Sequence, residues 1–199
     1  MITIIDLGIG NLGSLKNMLE YLDISCEITK DLNYISNSKK IILSGVGSFD
    51  SSMYNINSNK ELKSILNELV LTKKIPILGI CMGMQIMLES SEEGNQEGLG
   101  WIQGKVKKFK NSTDLKIPHM GWNIANINKE NALCEIDQKY YFVHSYYTEL
   151  KDMKNCMMTT NYGVKFCSGI FDNNIYGVQF HPEKSHKNGM LILKNFSNL

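Results

Sequence analysis

Three short apolar runs, each ended by a turn and followed by residues at helical spacing, constrain this chain most. Ile2-Thr3-Ile4-Ile5 stops at Asp6 and the Gly8-Ile9-Gly10-Asn11 turn, after which Leu12, Leu15, Leu19 and Leu22 recur three or four apart. Residues 40–43 form a second run, stopped by Ser44-Gly45-Val46-Gly47, and Leu62, Ile65, Leu66, Leu69 and Val70 follow with the i, i+3, i+4, i+7, i+8 pattern of a packed helix. Residues 75–80 form the third, with a helix predicted at once over 82–89. Strands apolar on both faces, alternating with helices, call for a mainly parallel central sheet flanked by helices, an α/β fold. The second half reads as β-rich, with strands predicted over 101–109, 139–147, 166–171 and 174–180. A closing helix is predicted over 186–196, its stripe drawn from Met190, Leu191, Leu193 and Phe196. The Asn/Ser-rich residues 55–59 read as a surface loop, and nothing divides the chain, so one domain over 1–199 is expected.

Composition narrows the partners. The 199 residues carry a net charge of only +1, and all 21 cationic side chains are lysines, so no global field recruits nucleic acid or a membrane surface. Lys105, Lys107, Lys108 and Lys110 read as a solvated face. No run approaches the ~18 apolar residues of a membrane span, and the N-terminus reads as a strand, lacking the basic start and cleavage site of a secretory signal. The five cysteines form no CxxC pair and are odd in number. This argues against a disulfide framework or zinc site and for a reducing cytoplasm.

The chemistry concentrates at Gly79-Ile80-Cys81-Met82-Gly83-Met84-Gln85. A buried strand ends at Cys81 and a helix follows, with glycines two residues before and two after. That is the pattern of a nucleophile elbow with sulfur in place of oxygen. The helix N-terminus favours thiolate, and the free N–H of Met82 can face an oxyanion. The plain alternative is a buried structural cysteine.

A thiol nucleophile needs a base, and the base an orienter. Four histidines are present. His181 lies in Val178-Gln179-Phe180-His181-Pro182-Glu183, where Glu183 could hold the ring. His144 sits within a strand without a nearby acid, His119 in a loop-like segment, and His186 where the last helix starts. Spacing favours His181 with Glu183.

The segments GICMGMQ around Cys81 and VQFHPEKS from Val178 resemble the class I, or triad, glutamine amidotransferases. GNLGSLKNML, SGVGSFD, GLGWI, IPHMGWN and YFVHSYY extend the likeness over essentially the whole chain. Their order is similar to that in one subfamily, the glutaminase subunits of imidazole glycerol phosphate synthase. The resemblance implies a Cys81–His181–Glu183 triad that hydrolyses glutamine, with no cofactor and no metal. It implies glutamine binding by Gly47, Gln85, Glu93, Ser145 and Tyr146, and an oxyanion hole from Val46, Gly47 and Met82. It also implies a heterodimer with a (β/α)₈-barrel cyclase, touching Asn11, Pro118, Met120 and Trp122. The plain reading of those four is core and turn residues. Where the family pattern has Pro-Gly-Val-Gly, this chain has Ser44-Gly45-Val46-Gly47, which loosens the backbone before the oxyanion segment.

Two other readings remain at this stage. Paralogous glutaminases serve cyclase-like partners that convert an acetamido group on a surface-polysaccharide sugar to an acetamidino group, and residues 181–187 followed by Gly189-Met190, together with Tyr146-Tyr147, are reminiscent of them. From another class, Cys81 could be a redox-sensing thiol on a binding module, or the nucleophile of a peptidase or C–C hydrolase.

Overall fold

The computed structural model describes residues 1–110 and 115–199. Along the chain lie β1 (Ile2–Ile5), α1 (Gly13–Tyr21), β2 (Cys26–Thr29), α2 (Leu32–Ser36), β3 (Ile41–Gly45), α3 (Phe49–Ser58) and α4 (Lys60–Asn67). Then come β4 (Ile77–Cys81), α5 (Met82–Gln85), β5 (Ser90–Ser91), β6 (Gly104–Lys108), β7 (His119–Ile127), β8 (Gln138–His144) and β9 (Tyr146–Leu150). The chain finishes with β10 (Cys156–Tyr162), β11 (Val164–Asp172), β12 (Ile175–Val178) and α6 (His186–Ser197).

The apolar runs pair side by side, in the order β2-β1-β3-β4-β12, and all four pairings are parallel. Every residue of β1, β3, β4 and β12 is buried, because both faces are covered. Alternation divides the core accordingly. Ile5, Leu43 and Ile77 pack with Phe49, Met53 and Leu66 of α3 and α4. Ile4, Ile42, Leu78 and Ile80 pack with Leu15 and Leu19 of α1 and with Ile192 and Phe196 of α6. Beyond β12 the sheet continues antiparallel through β11, β10, β7 and β8, so the sheet as a whole is mixed. The parallel core follows from the first half of the sequence, joined by β12, and the antiparallel extension from the rest of the β-rich second half.

Several local expectations are corrected. Residues 55–58 are helical, not loop: Ser48 caps α3 by accepting from Ser51 N–H, and Phe49, Met53 and Ile56 lie buried along one face. The polar composition masks a stripe of three apolar residues. The helix after Cys81 is one turn, not two: Met87 and Leu88 N–H donate to the carbonyls of Met84 and Gln85, three residues back, and Glu89 N–H leaves the helix for the Gly104 carbonyl. Leu99, Ile102, Gly100 and Gly98 N–H donate to the carbonyls of Ile86, Met87, Leu88 and Glu89. His119 opens a nine-residue strand and is not in a loop. The buried face of α6 is Gly189, Ile192, Leu193 and Phe196, while Leu191 is exposed and Met190 only half-buried. Lys107 pairs with Glu92 and Lys105 with Glu149, as befits a solvated face. Among the described residues no helix is long and apolar enough to cross a membrane.

Candidate active site

The turn after β4 is built by exclusion. Cys81 has φ 54° and ψ −108°, a strained conformation for a residue with a side chain, held between β4 and α5. A Cβ on Gly83 would come within 1.9 Å of the Leu43 carbonyl oxygen, and one on Gly79 within 2.6 Å of the Gly83 carbonyl oxygen. The helix can start this close to the sheet only because both positions lack side chains. Met82, first in the helix, has no intrahelical acceptor for its N–H.

His181 follows β12, the neighbour of β4. Its N–H donates to Tyr141 O at 2.9 Å, and Ser185 Oγ donates to its carbonyl at 2.6 Å while accepting from Tyr141 N–H. These bonds stitch the His-Pro-Glu turn to β8. The ring is 1% exposed, and its Nδ1 lies 2.7 Å from Glu183 Oε1. Nδ1 therefore carries the proton toward the carboxylate, and Nε2 is left buried with no hydrogen-bond partner of ordinary geometry among the described residues. Burial pulls the imidazolium down, but the nearby Cys81 sulfur and the Glu183 carboxylate outweigh it and raise His181 to about 10.

Cys81 and His181 share a cavity of about 160 Å³, also lined by Val46, Gly47, Met82, Gln85, Glu93, Val143, His144, Ser145 and Tyr146. It suits a small metabolite rather than a drug-sized ligand, for which pockets start at roughly 300 Å³. All the sequence-predicted binding and oxyanion residues thus converge here, and Glu183 stands behind His181. Larger hollows exist, one of about 380 Å³ against Asp6, Lys30 and Asn55, but neither cysteine nor histidine lines that one.

The lining has further order. Glu93 Oε2 accepts from Phe49 N–H at 2.8 Å, which fixes one carboxylate oxygen at the start of α3. Ser145 O accepts from Phe109 N–H, which sets the plane of the Ser145–Tyr146 peptide. The Tyr146 carbonyl accepts from His144 Nδ1 at 2.6 Å and Gln85 Nε2 at 3.2 Å. His144 Nε2 must then accept, and it faces His119 Nδ1 at 2.9 Å. Burial lowers His119 to about 4 and His144 to about 3, so the pair is neutral near pH 7. Sequence reasoning missed this pair, whose members lie opposite each other on β7 and β8. It also missed Gln179, fully buried with Nε2 3.6 Å from the Cys81 sulfur.

The four candidate interface residues lie outside the cavity and all are exposed, with Met120 at 62% and Trp122 at 47%. Their plain reading as core is excluded. Trp122 stacks on His186, ring centroids 5.5 Å apart.

Comparison with known proteins agrees with this arrangement. The family model for glutamine amidotransferase class-I matches residues 3–198. Imidazole glycerol phosphate synthase subunit HisH 2 of Methanococcus maripaludis is 51% identical, covering 98% of each chain; HisH 1 of the same organism is 44% identical over the full length of both. Subunit HisH of Leptospira borgpetersenii is 46% identical over the full length of both. Among solved structures, the glutaminase domain of Trypanosoma brucei CTPS superposes with a TM-score of 0.69. The match covers 99% of this chain and 93% of that one at 13% identity, a likeness of fold. The chain belongs to the class-I glutamine amidotransferase family.

Proposed function

We propose that this chain, as one domain over 1–199, is the glutaminase subunit of an imidazole glycerol phosphate synthase. It hydrolyses glutamine and passes the ammonia to a cyclase subunit in the cytoplasm. The observation that carries the reading is the convergence of Cys81 with the Glu183-oriented His181 in one small cavity.

The Cys81 sulfur attacks the side-chain amide carbon of glutamine, and the oxygen takes up negative charge against the N–H groups of Met82 and of the Val46–Gly47 segment. His181, oriented by Glu183, gives its Nε2 proton to the amide nitrogen. Ammonia leaves, and a γ-glutamyl thioester remains. Water then attacks, His181 takes its proton, the C–S bond breaks with its electron pair on sulfur, and glutamate departs. Gln85 and Glu93 hold the substrate at its amino end, and the backbone of Ser145 and Tyr146 receives its α-carboxylate. A barrel-shaped cyclase docks on the face bearing Asn11, Pro118, Met120 and Trp122, so ammonia crosses without meeting bulk water. Isolated, the chain turns over glutamine feebly, because the Gly45-Val46-Gly47 segment completes the oxyanion hole only when the partner is engaged.

A second reading keeps the glutaminase and changes the acceptor to an acetamido sugar of a surface polysaccharide. Its support is the likeness of residues 181–187 with Gly189-Met190, and of Tyr146-Tyr147, to those paralogues. The test is to purify the chain with the barrel subunit encoded beside it and identify the nitrogen-bearing product. An imidazole product supports the first reading and an amidino sugar the second. A complex that makes neither product from glutamine removes both.

A further inference from the structure

The Tyr146 carbonyl dictates the orientation of two buried amides in series. A carbonyl only accepts, so the Gln85 atom 3.2 Å from it is Nε2. That nitrogen also reaches Gln179 Oε1 at 2.9 Å. Gln179 Nε2 is thereby turned toward the Cys81 sulfur, 3.6 Å away. Flipping Gln179 would set two N–H groups against each other and an oxygen against the sulfur, with both residues nearly or wholly buried. The orientation is thus determined by hydrogen bonding and not by choice. The Gln85 Oε1 left over is buried and, among the described residues, has no partner.

Resting on the reading of Cys81 as the nucleophile, we propose that Gln179 is a further catalytic residue, whose Nε2–H donates to the sulfur. A donor aimed at an anion favours the anion. It therefore stabilises the negative charge on the sulfur that attacks. It acts again when the thioester breaks, because the electron pair of the C–S bond returns to the sulfur, where the N–H already points. The neutral thiol has a different outlet, the Val143 carbonyl at 3.9 Å. The other titratable groups around the cavity are His181 with Glu183, Glu93, the neutral His144 and the Tyr146 phenol, which burial pushes up.

The experiment measures iodoacetamide alkylation of Cys81 in the full chain from pH 5 to 9, resolved by mass spectrometry of its peptide. Cys26, whose thiol burial pushes up, serves as internal reference. Q179E keeps the shape and replaces the donor with an acceptor; Q179M removes both. Each should move the Cys81 profile to higher pH by about one unit, roughly a tenfold loss of rate on its acid limb, the size expected for a hydrogen bond to a charged group. The Cys26 profile should stay in place. In the wild-type chain, the Gln179 side-chain amide proton signal should shift as Cys81 is alkylated, a readout that needs no variant. An unmoved Cys81 profile or an amide signal indifferent to alkylation overturns the proposal. The glutaminase reading is judged separately, by whether the wild-type complex turns over glutamine.

Discussion

Gly45 lies in parallel register with Cys81, so the segment carrying the candidate oxyanion amides leaves its strand level with the nucleophile. The two strands are adjacent in the sheet, and Gly83, in the helix that follows Cys81, fits against the Leu43 carbonyl of β3. Nucleophile and oxyanion segment are therefore set by one packing contact. Gly83→Ala should break it: the new Cβ meets backbone, which cannot swing aside as a flexible side chain would. We expect a loss of about 3 kcal/mol or more in stability, read as a lower denaturant midpoint. An unchanged midpoint would mean that β3 and α5 are not packed this closely.

Glu183→Gln keeps the shape of the orienting group and removes its charge. His181, now at about 10, should titrate at lower pH, and the wrong ring tautomer becomes accessible. Glutamine turnover should fall by about 10²-fold or more, by analogy with charge removal in other triads. Steady-state rates and an NMR titration of the His181 ring check both. A variant with wild-type rates would show that the 2.7 Å contact is structural only.

How far the sequence carried this picture depends on whether a feature is local. The elbow was legible because its glycines lie within five residues of each other, and the His181–Glu183 pair because its members are two apart. The cavity lining came from motif resemblance, not from periodicity. The His119–His144 pair and Gln179 were not legible. Their partners lie 25 and 98 residues away, and only strand pairing brings them together. The helix at 49–58 was hidden for a different reason: three serines and two asparagines dilute an apolar stripe that only the cap at Ser48 betrays.

His119 and His144 should make the fold acid-sensitive. Both are held below the ordinary value of 6.5, at about 4 and about 3, so the unfolded chain binds their protons first. Their stabilising contribution is complete above pH 6.5 and is lost progressively as pH falls toward those lower values. The thermal midpoint should drop over that window, and less steeply in His119→Asn, which retains a donor toward His144 but does not titrate. A wild-type midpoint that stays level from pH 6.5 to 4.5 would contradict the buried neutral pair.

Trp122 is half exposed and stacks on His186, so Trp122→Ala should cost the isolated chain little stability. At a docking face an exposed tryptophan is worth about 2 kcal/mol or more, roughly a thirtyfold weakening of the complex. Titration calorimetry with the cyclase partner, alongside thermal melts of the free chain, separates the two effects. Full affinity in the variant would move the interface elsewhere.

If Cys81 serves only to release ammonia, the partner's reaction needs nothing else from it. The most direct test is product formation by wild-type and Cys81→Ser complexes, with glutamine or ammonium salt at high pH as the sole nitrogen donor. Serine is nearly isosteric but too weak an acid for a helix N-terminus to ionise, so docking should persist while attack on glutamine fails. Cys81→Ser should abolish glutamine-dependent synthesis and retain synthesis from ammonium. Glutamine-dependent product from the serine variant, or loss of the ammonium-dependent reaction in an assembled complex, would contradict it.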